Sequence, residues 1–227
     1  MATSVFVGLD TPDLARATAL ARAVAPHVGG LKLGLEFVMA QGPGGVRALA
    51  AEGLPIFLDV KLHDIPNTVA GALRALAPLR PAIVNVHAAG GPAMLAAARA
   101  ACPPPTRLVA VTVLTSLEAS DLAATGVADA PLAQVRRLAA LARAAGLDGV
   151  VCSPHEVATL KADWRNGLFI VPGIRPEGSA AGDQKRMMTP AQAQAAGASI
   201  LVIGRPITGA ADPAAAARAI ARDLGQG

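Results

Sequence analysis

The sequence predicts an α/β protein built as one (β/α)8 (TIM) barrel domain spanning residues 1–227. Strand-like apolar runs alternate with Ala/Leu-rich stretches of helical period along the whole chain, the pattern of a parallel sheet assembled from successive strand–helix units. The units number close to eight, which in this length fits a compact barrel with its site at the C-terminal strand ends. A doubly wound open sheet is the competing architecture, but no Gly-rich dinucleotide fingerprint follows the first strand.

The predicted strands, in order, are 4–9 (SVFVGL), 30–34 (GLKLG), 56–61 (IFLDVK), 83–87 (IVNVH), 108–114 (LVAVTVL), 149–152 (GVVC), 168–171 (LFIV) and 199–203 (SILVI). The helical stretches that separate them lie near 12–25, 36–52, 67–76, 91–101, 131–145, 154–161, 190–196 and 213–224. Gly and Pro punctuate these units, and no Ser/Gly run or block of like charge reads as a linker between domains.

Composition narrows the function. The chain is 53% hydrophobic with no uninterrupted apolar stretch of membrane-spanning length and no basic leader, so a soluble cytoplasmic protein without membrane partners is expected. The formal charge of +4 comes from Arg and Lys scattered singly along Ala-rich helices, the pattern of a solvated face. Aromatic residues make up 2% and tyrosine is absent, which removes the stacking platforms of nucleic-acid binders; a small anionic substrate better suits the surplus charge. Cys102 and Cys152 fit no metal-ligand spacing and are expected to be reduced core residues.

The most informative stretch is FLDVKLHDIPNTV, residues 57–69. Strand alternation sends Asp59 and Lys61 to one face and Leu58 and Val60 to the other, with Asp64 just beyond. Opposite charges on one wall of a buried strand imply mutual neutralisation. Such a cluster either closes the end of a barrel as a structural ion-pair lattice or serves chemistry. Further polar residues fall at other strand ends: Asp10 after the first, Lys32 in the second, Thr115 and Ser116 after the fifth.

The seventh strand runs into a polar loop, 172–190, that is long enough for a lid and carries Arg175, Gln184, Lys185 and Arg186. The eighth ends in Gly204-Arg205-Pro206. Phosphate sites in barrels often follow strands seven and eight, so a phosphate is expected there, the alternative being that Arg205 only ties down the loop.

These residues together resemble the orotidine 5'-phosphate decarboxylase family. VGLD, LKLGLEF, FLDVKLHDIPNTV, VTVLTS, VPGIRP, GDQKR and VIGRPI occur in the expected order from end to end. The D-x-K-x-x-D core is shared with sugar-phosphate lyases on the same barrel, and the IPNT continuation is more telling. The resemblance implies a homodimer that decarboxylates orotidine 5'-phosphate to uridine 5'-phosphate in pyrimidine biosynthesis without a cofactor or metal.

It also implies roles. Lys61 is the proton donor to C6 within a Lys32/Asp59/Lys61/Asp64 array, and Asp59 faces the substrate carboxylate. Asp10 and Lys32 contact the ribose, Thr115 the pyrimidine edge, and Gln184 bridges base and phosphate. Arg175, Gly204 and Arg205 are ligand positions, and Asp64, Ile65 and Thr68 belong to the substrate site, Asp64 and Thr68 reaching it from the partner subunit. His63 and His87 are expected to be structural, since the reaction asks for no nucleophile. Two rivals remain. Metal-dependent 3-keto-L-gulonate 6-phosphate decarboxylases or hexulose phosphate synthases would place an acidic ligand near Lys32, where a lysine repels a divalent cation. A non-catalytic nucleotide- or RNA-binding barrel would not need the charged array.

Overall fold

The first strand, Val5–Gly8 (β1), is buried throughout because its neighbours on both sides are strands: it pairs in parallel with β2 (Gly30–Leu33) and with β8 (Ile200–Ile203). That double pairing closes the sheet. In this computed structural model, which describes residues 4–176 and 188–226, the order runs β1 to β8 around a closed parallel barrel. The intervening strands are β3 (Ile56–Leu62), β4 (Ile83–His87), β5 (Arg107–Val111), β6 (Gly149–Val151) and β7 (Leu168–Val171). All eight predicted strands are present.

The principal helices are α1 (Leu14–Val24), α2 (Leu35–Ala50), α3 (Pro66–Leu76), α4 (Gly91–Ala101), α5 (Ala119–Ala124), α6 (Pro131–Ala144), α7 (Val157–Asp163), α8 (Pro190–Ala195), α9 (Arg205–Thr208) and α10 (Pro213–Asp223). Their starts follow local chemistry. The Asp13 carboxylate accepts the Ala15 and Arg16 N–H groups at the head of α1, and Thr189 and Gln192 form a reciprocal capping box on α8.

Most element ends shift by one or two residues, α5 and α9 are additional to the expected helices, and three departures have a clear local cause. The strand expected to reach 114 ends at Val111; Val113 is apolar because it joins the core beyond the strand, and Leu114 because it lines the cavity at the mouth. The helix expected from 154 begins at Val157, since the buried Glu156 carboxylate accepts the Ser153 N–H at 2.8 Å and holds a turn ahead of it. The helix expected over 36–52 is kinked at Gly42, whose φ of +57° leaves the helical region just before Pro43.

Strand alternation divides the core into two layers. Val7, Leu31, Leu33, Leu58, Val84, Val86 and Leu201 pack outward against the helices, while Phe6, Phe57, Ile83, Val109, Ile170 and Ile200 form a separate cluster that fills the barrel interior. Each large side chain buried there contributes about 1.5–3 kcal/mol. Gly30 makes room for this layer: a Cβ on it would lie 2.3 Å from the Phe6 ring. Because Phe57 plugs the interior, the next inward-facing residues of β3 are pushed toward the mouth.

Candidate active site

Beyond Phe57 the third strand stops being regular. Leu58 pairs with Val84 and Leu62 with Val86, so residues 59–61 of β3 stand opposite the single residue Asn85 of β4. This is a β-bulge, and within it Lys61 adopts a left-handed backbone conformation with φ +48°. A non-glycine residue held there costs about 1–3 kcal/mol, and it persists only where the surroundings enforce it. Asp59 and Lys61 therefore do share one wall, but simple alternation is only part of the reason; the bulge re-aims the lysine.

The charges at the mouth form an alternating run within one chain. Asp10 Oδ1 lies 2.7 Å from Lys32 Nζ, Lys32 Nζ lies 3.7 Å from Asp59 Oδ2, and Asp59 Oδ1 lies 2.6 Å from Lys61 Nζ. Burial deepens toward the middle: the Asp10 side chain is 54% exposed, Lys32 10%, Asp59 15% and Lys61 30%. Burial by itself would push the Asp59 carboxyl up, but attraction to Lys61 and Lys32, with hydrogen bonds from Lys61 and Asn85, outweighs it and holds the group below its ordinary value. Asp59 is thus a fixed anion between two cations. Gly34 permits the crowding, since a Cβ there would lie 2.8 Å from Asp10 Oδ1 and 3.0 Å from Lys32 Nζ.

Asp64 is not part of this run. Its carboxylate turns back to accept the Ile65 N–H at 2.7 Å, and it has no ion-pair partner within 4.0 Å among the described residues. Asp64, Ile65 and Thr68 all lie exposed at the start of α3, Ile65 at 67%. The expectation that Lys61 sits between Asp59 and Asp64 is not met inside a single chain.

The other expected residues gather around the same opening. Thr115, in the turn after β5, lines a cavity of about 170 Å³ together with Lys32, Asp59, Lys61, Cys152 and Pro172. Arg175 follows β7, Gly204 and Arg205 follow β8, and the two guanidiniums are near enough to repel. Burial first, and then the Arg205 charge, pull Arg175 below its ordinary value. Among the described residues Arg175 has no carboxylate partner; its side chain donates to the Ile174 carbonyl at 2.9 Å. Two cations this close to one another suit a dianion. Gln184 lies outside the described residues. The larger groove on the outer surface, between α6 and α7, is lined by Arg136, Arg137, Arg143 and Trp164; Arg136 pairs with the Asp163 carboxylate, Arg143 donates to the Asp163 carbonyl and Arg137 pairs with Asp129.

Sequence reasoning missed Asn85. It is fully buried, accepts the Lys61 N–H at 2.7 Å and donates to Asp59 Oδ1 at 2.7 Å. The signal was present: an amide in the middle of IVNVH is as anomalous for a buried strand as the charges of LDVK. His63 and His87 stack with ring centroids 5.3 Å apart, and His87 Nδ1 is buried without a hydrogen-bond partner among the described residues. Neither is paired with a nucleophile among the described residues.

Comparison with known proteins shows what the chain as a whole is similar to. Residues 3–220 match the family model described as the orotidine 5'-phosphate decarboxylase / HUMPS family. The chain is 58% identical over 224 residues to orotidine 5'-phosphate decarboxylase of Sphingopyxis alaskensis, covering 99% of this chain and 100% of the relative. It is 57% identical to the protein of that name from Novosphingobium aromaticivorans, with the same coverage. The crystal structure of orotidine 5'-phosphate decarboxylase from Lactobacillus acidophilus superposes with a TM-score of 0.85 at 36% identity, covering 97% of this chain and 98% of that one.

Proposed function

The chain belongs to the orotidine 5'-phosphate decarboxylase / HUMPS family, and from that premise we propose that it converts orotidine 5'-phosphate to uridine 5'-phosphate and carbon dioxide without a cofactor. The family description spans two kinds of enzyme, and the curated relatives at 55–58% identity bear the name of the first. The observation that carries the mechanistic reading is the Lys32–Asp59–Lys61 contact at the barrel mouth.

Decarboxylation breaks the bond between C6 and the carboxylate carbon and leaves an electron pair on C6. Lys61 supplies both things that this pair needs, a positive charge as it develops and then a proton to form the C6–H bond. The neutral amine takes a proton back from solvent, so the turnover consumes one proton and releases carbon dioxide. Asp59 keeps the ammonium in place and faces the substrate carboxylate. Ground-state repulsion and carbanion stabilisation both follow from that placement.

Lys32 supports the cofactor-free reading, because its ammonium lies 2.7 Å from Asp10 and 3.7 Å from Asp59, between the carboxylates that a divalent cation would otherwise use. In the proposed complex Asp10 and Lys32 hold the ribose, Thr115 meets the pyrimidine edge, and Arg175, Gly204 and Arg205 take the phosphate. Gln184 bridges base and phosphate. Asp64 and Thr68, both exposed, complete the site of a second copy in a homodimer, and Ile65 is a further substrate contact.

The direct test is loss of the orotidine absorbance during turnover of orotidine 5'-phosphate by chelator-treated protein. Undiminished activity is expected. Activity abolished by EDTA and restored by magnesium would transfer the chain to the metal-dependent sugar-phosphate lyases.

A further inference from the structure

The β3 bulge leaves a gap in the ladder that something must fill. Three residues, 59–61, face only Asn85, so the N–H of Lys61 cannot find a regular ladder acceptor on β4. The Asn85 side chain takes that place: its Oδ1 accepts the Lys61 N–H at 2.7 Å, and its Nδ2 donates to Asp59 Oδ1 at 2.7 Å. The same carboxylate oxygen receives the Lys61 ammonium at 2.6 Å. Backbone of the lysine, amide of the asparagine, carboxylate of the aspartate and ammonium of the lysine thus close a ring.

Asn85 is wholly inaccessible, and both of its contacts go to these two residues. An amide buried in an apolar strand is costly unless its hydrogen bonds are made, and here the groups that satisfy it are the two at the reaction centre. Lys61 in turn needs a reason to stay at φ +48°, and its N–H bond to Asn85 holds the backbone in that conformation.

We propose that Asn85 is the positioning residue of the decarboxylation: its buried side chain holds Lys61 in the left-handed conformation that aims the ammonium, and fixes the Asp59 carboxylate against it. The proposal rests on the reading that Lys61 is the proton donor. It goes beyond that reading by assigning the aim of the donor to a residue of the neighbouring strand that touches no substrate.

The mechanism of such a residue is geometric. A misplacement of about 1 Å at a reacting group costs about 100-fold in rate, whereas ground-state affinity carried by the phosphate and ribose contacts is little changed. Asp59 faces Lys32 from β2, Lys61 from its own strand and Asn85 from β4, and His87 lies two residues further along β4. Removing the Asn85 donor leaves Asp59 with less stabilisation of its anion, so protonation sets in at higher pH.

The test uses full-length Asn85→Leu, which keeps the size of the side chain and deletes both hydrogen bonds, and Asn85→Ser, which is smaller and stays polar. Wild type and Lys61→Ala are assayed alongside. Expected for Asn85→Leu are a fall in kcat of about 100-fold, a Kd for uridine 5'-phosphate within about threefold of wild type, and an acidic limb of the kcat/KM profile displaced upward. Asn85→Ser should fall between the two. A folded Asn85→Leu with wild-type kcat and an unmoved acidic limb would overturn the proposal. So would loss of the fold in both variants, since the residue would then hold the barrel and not the reacting groups. An inactive wild type, or an active Lys61→Ala, would instead overturn the reading on which the proposal rests.

Discussion

Lys61 and Asp64 stand three residues apart in one motif yet do not pair: Lys61 Nζ is held by Asp59 at 2.6 Å, while the Asp64 carboxylate accepts the N–H of Ile65 at 2.7 Å. The Asp64 carboxylate lies at the surface beside an exposed Ile65 and Thr68, and in the proposed shared site it acts on another copy. Lys61→Ala and Asp64→Ala, each inactive alone, should therefore recover activity when mixed and allowed to exchange subunits. Random pairing yields a mixed dimer half the time, with one intact site of two, so about a quarter of wild-type activity is expected. Full wild-type activity in a protein shown to be monomeric at high dilution would exclude the shared site.

Lys61→Ala should lower kcat by about three orders of magnitude or more, because acid catalysis and charge stabilisation are lost together. The circular dichroism spectrum should be unchanged, since the side chain is at the mouth and outside both apolar layers of the core. Turnover within about tenfold of wild type would contradict the assignment.

Arg205 lies at the end of the eighth strand, and its charge acts on Arg175 across the same opening. A phosphate held there is remote from C6 in the substrate, so its binding energy helps the chemistry only if it is expressed in the transition state. Arg205→Ala should lower kcat/KM for orotidine 5'-phosphate by about 100-fold and scarcely affect the slow reaction of orotidine lacking phosphate. Equal losses on both substrates would show that the arginine acts on the array or the fold.

His87 should make stability sensitive to pH. Burial first, then the His63 and Lys61 charges, lower its pKa from the ordinary 6.5. Its contribution is complete above the unfolded-state value and is lost as pH falls through the window between that value and the lower folded one, because there the unfolded chain binds the extra proton. The depressed Asp59 loses its contribution in a separate window below its ordinary 3.8. Urea unfolding of wild type should therefore weaken between pH 7 and 5, and His87→Leu should flatten that decline. Identical slopes in the two proteins would remove His87 as the cause.

Much of this protein was legible in its amino-acid order. Eight strand-like runs separated by helical ones set the barrel, because each period states which face of an element must be buried, and a parallel sheet with so many units in so short a chain has little alternative to closure. The residues of the site were legible for a related reason: Asp59 and Lys61 interrupt a strand that is otherwise apolar, and Lys32 interrupts another, so their unfavourable burial required a partner. The break at Val111 was less visible, since apolar residues beyond it serve packing rather than regular hydrogen bonding, whereas Gly42 and Pro43 mark the kink in α2 openly.

Tertiary structure alone decided how those charges meet. Asp10 joins the run at its Lys32 end, because strand one brings it within 2.7 Å of Lys32, while Asp64, which the motif places at the Lys61 end, is carried outward with the start of α3. The bulge at 59–61 and the amide that fills it depend on the pairing of β3 with β4, whose register is set by packing between residues about twenty-five positions apart. Local sequence states what each strand prefers to bury; which partner atom lies across the gap is fixed only when the barrel closes.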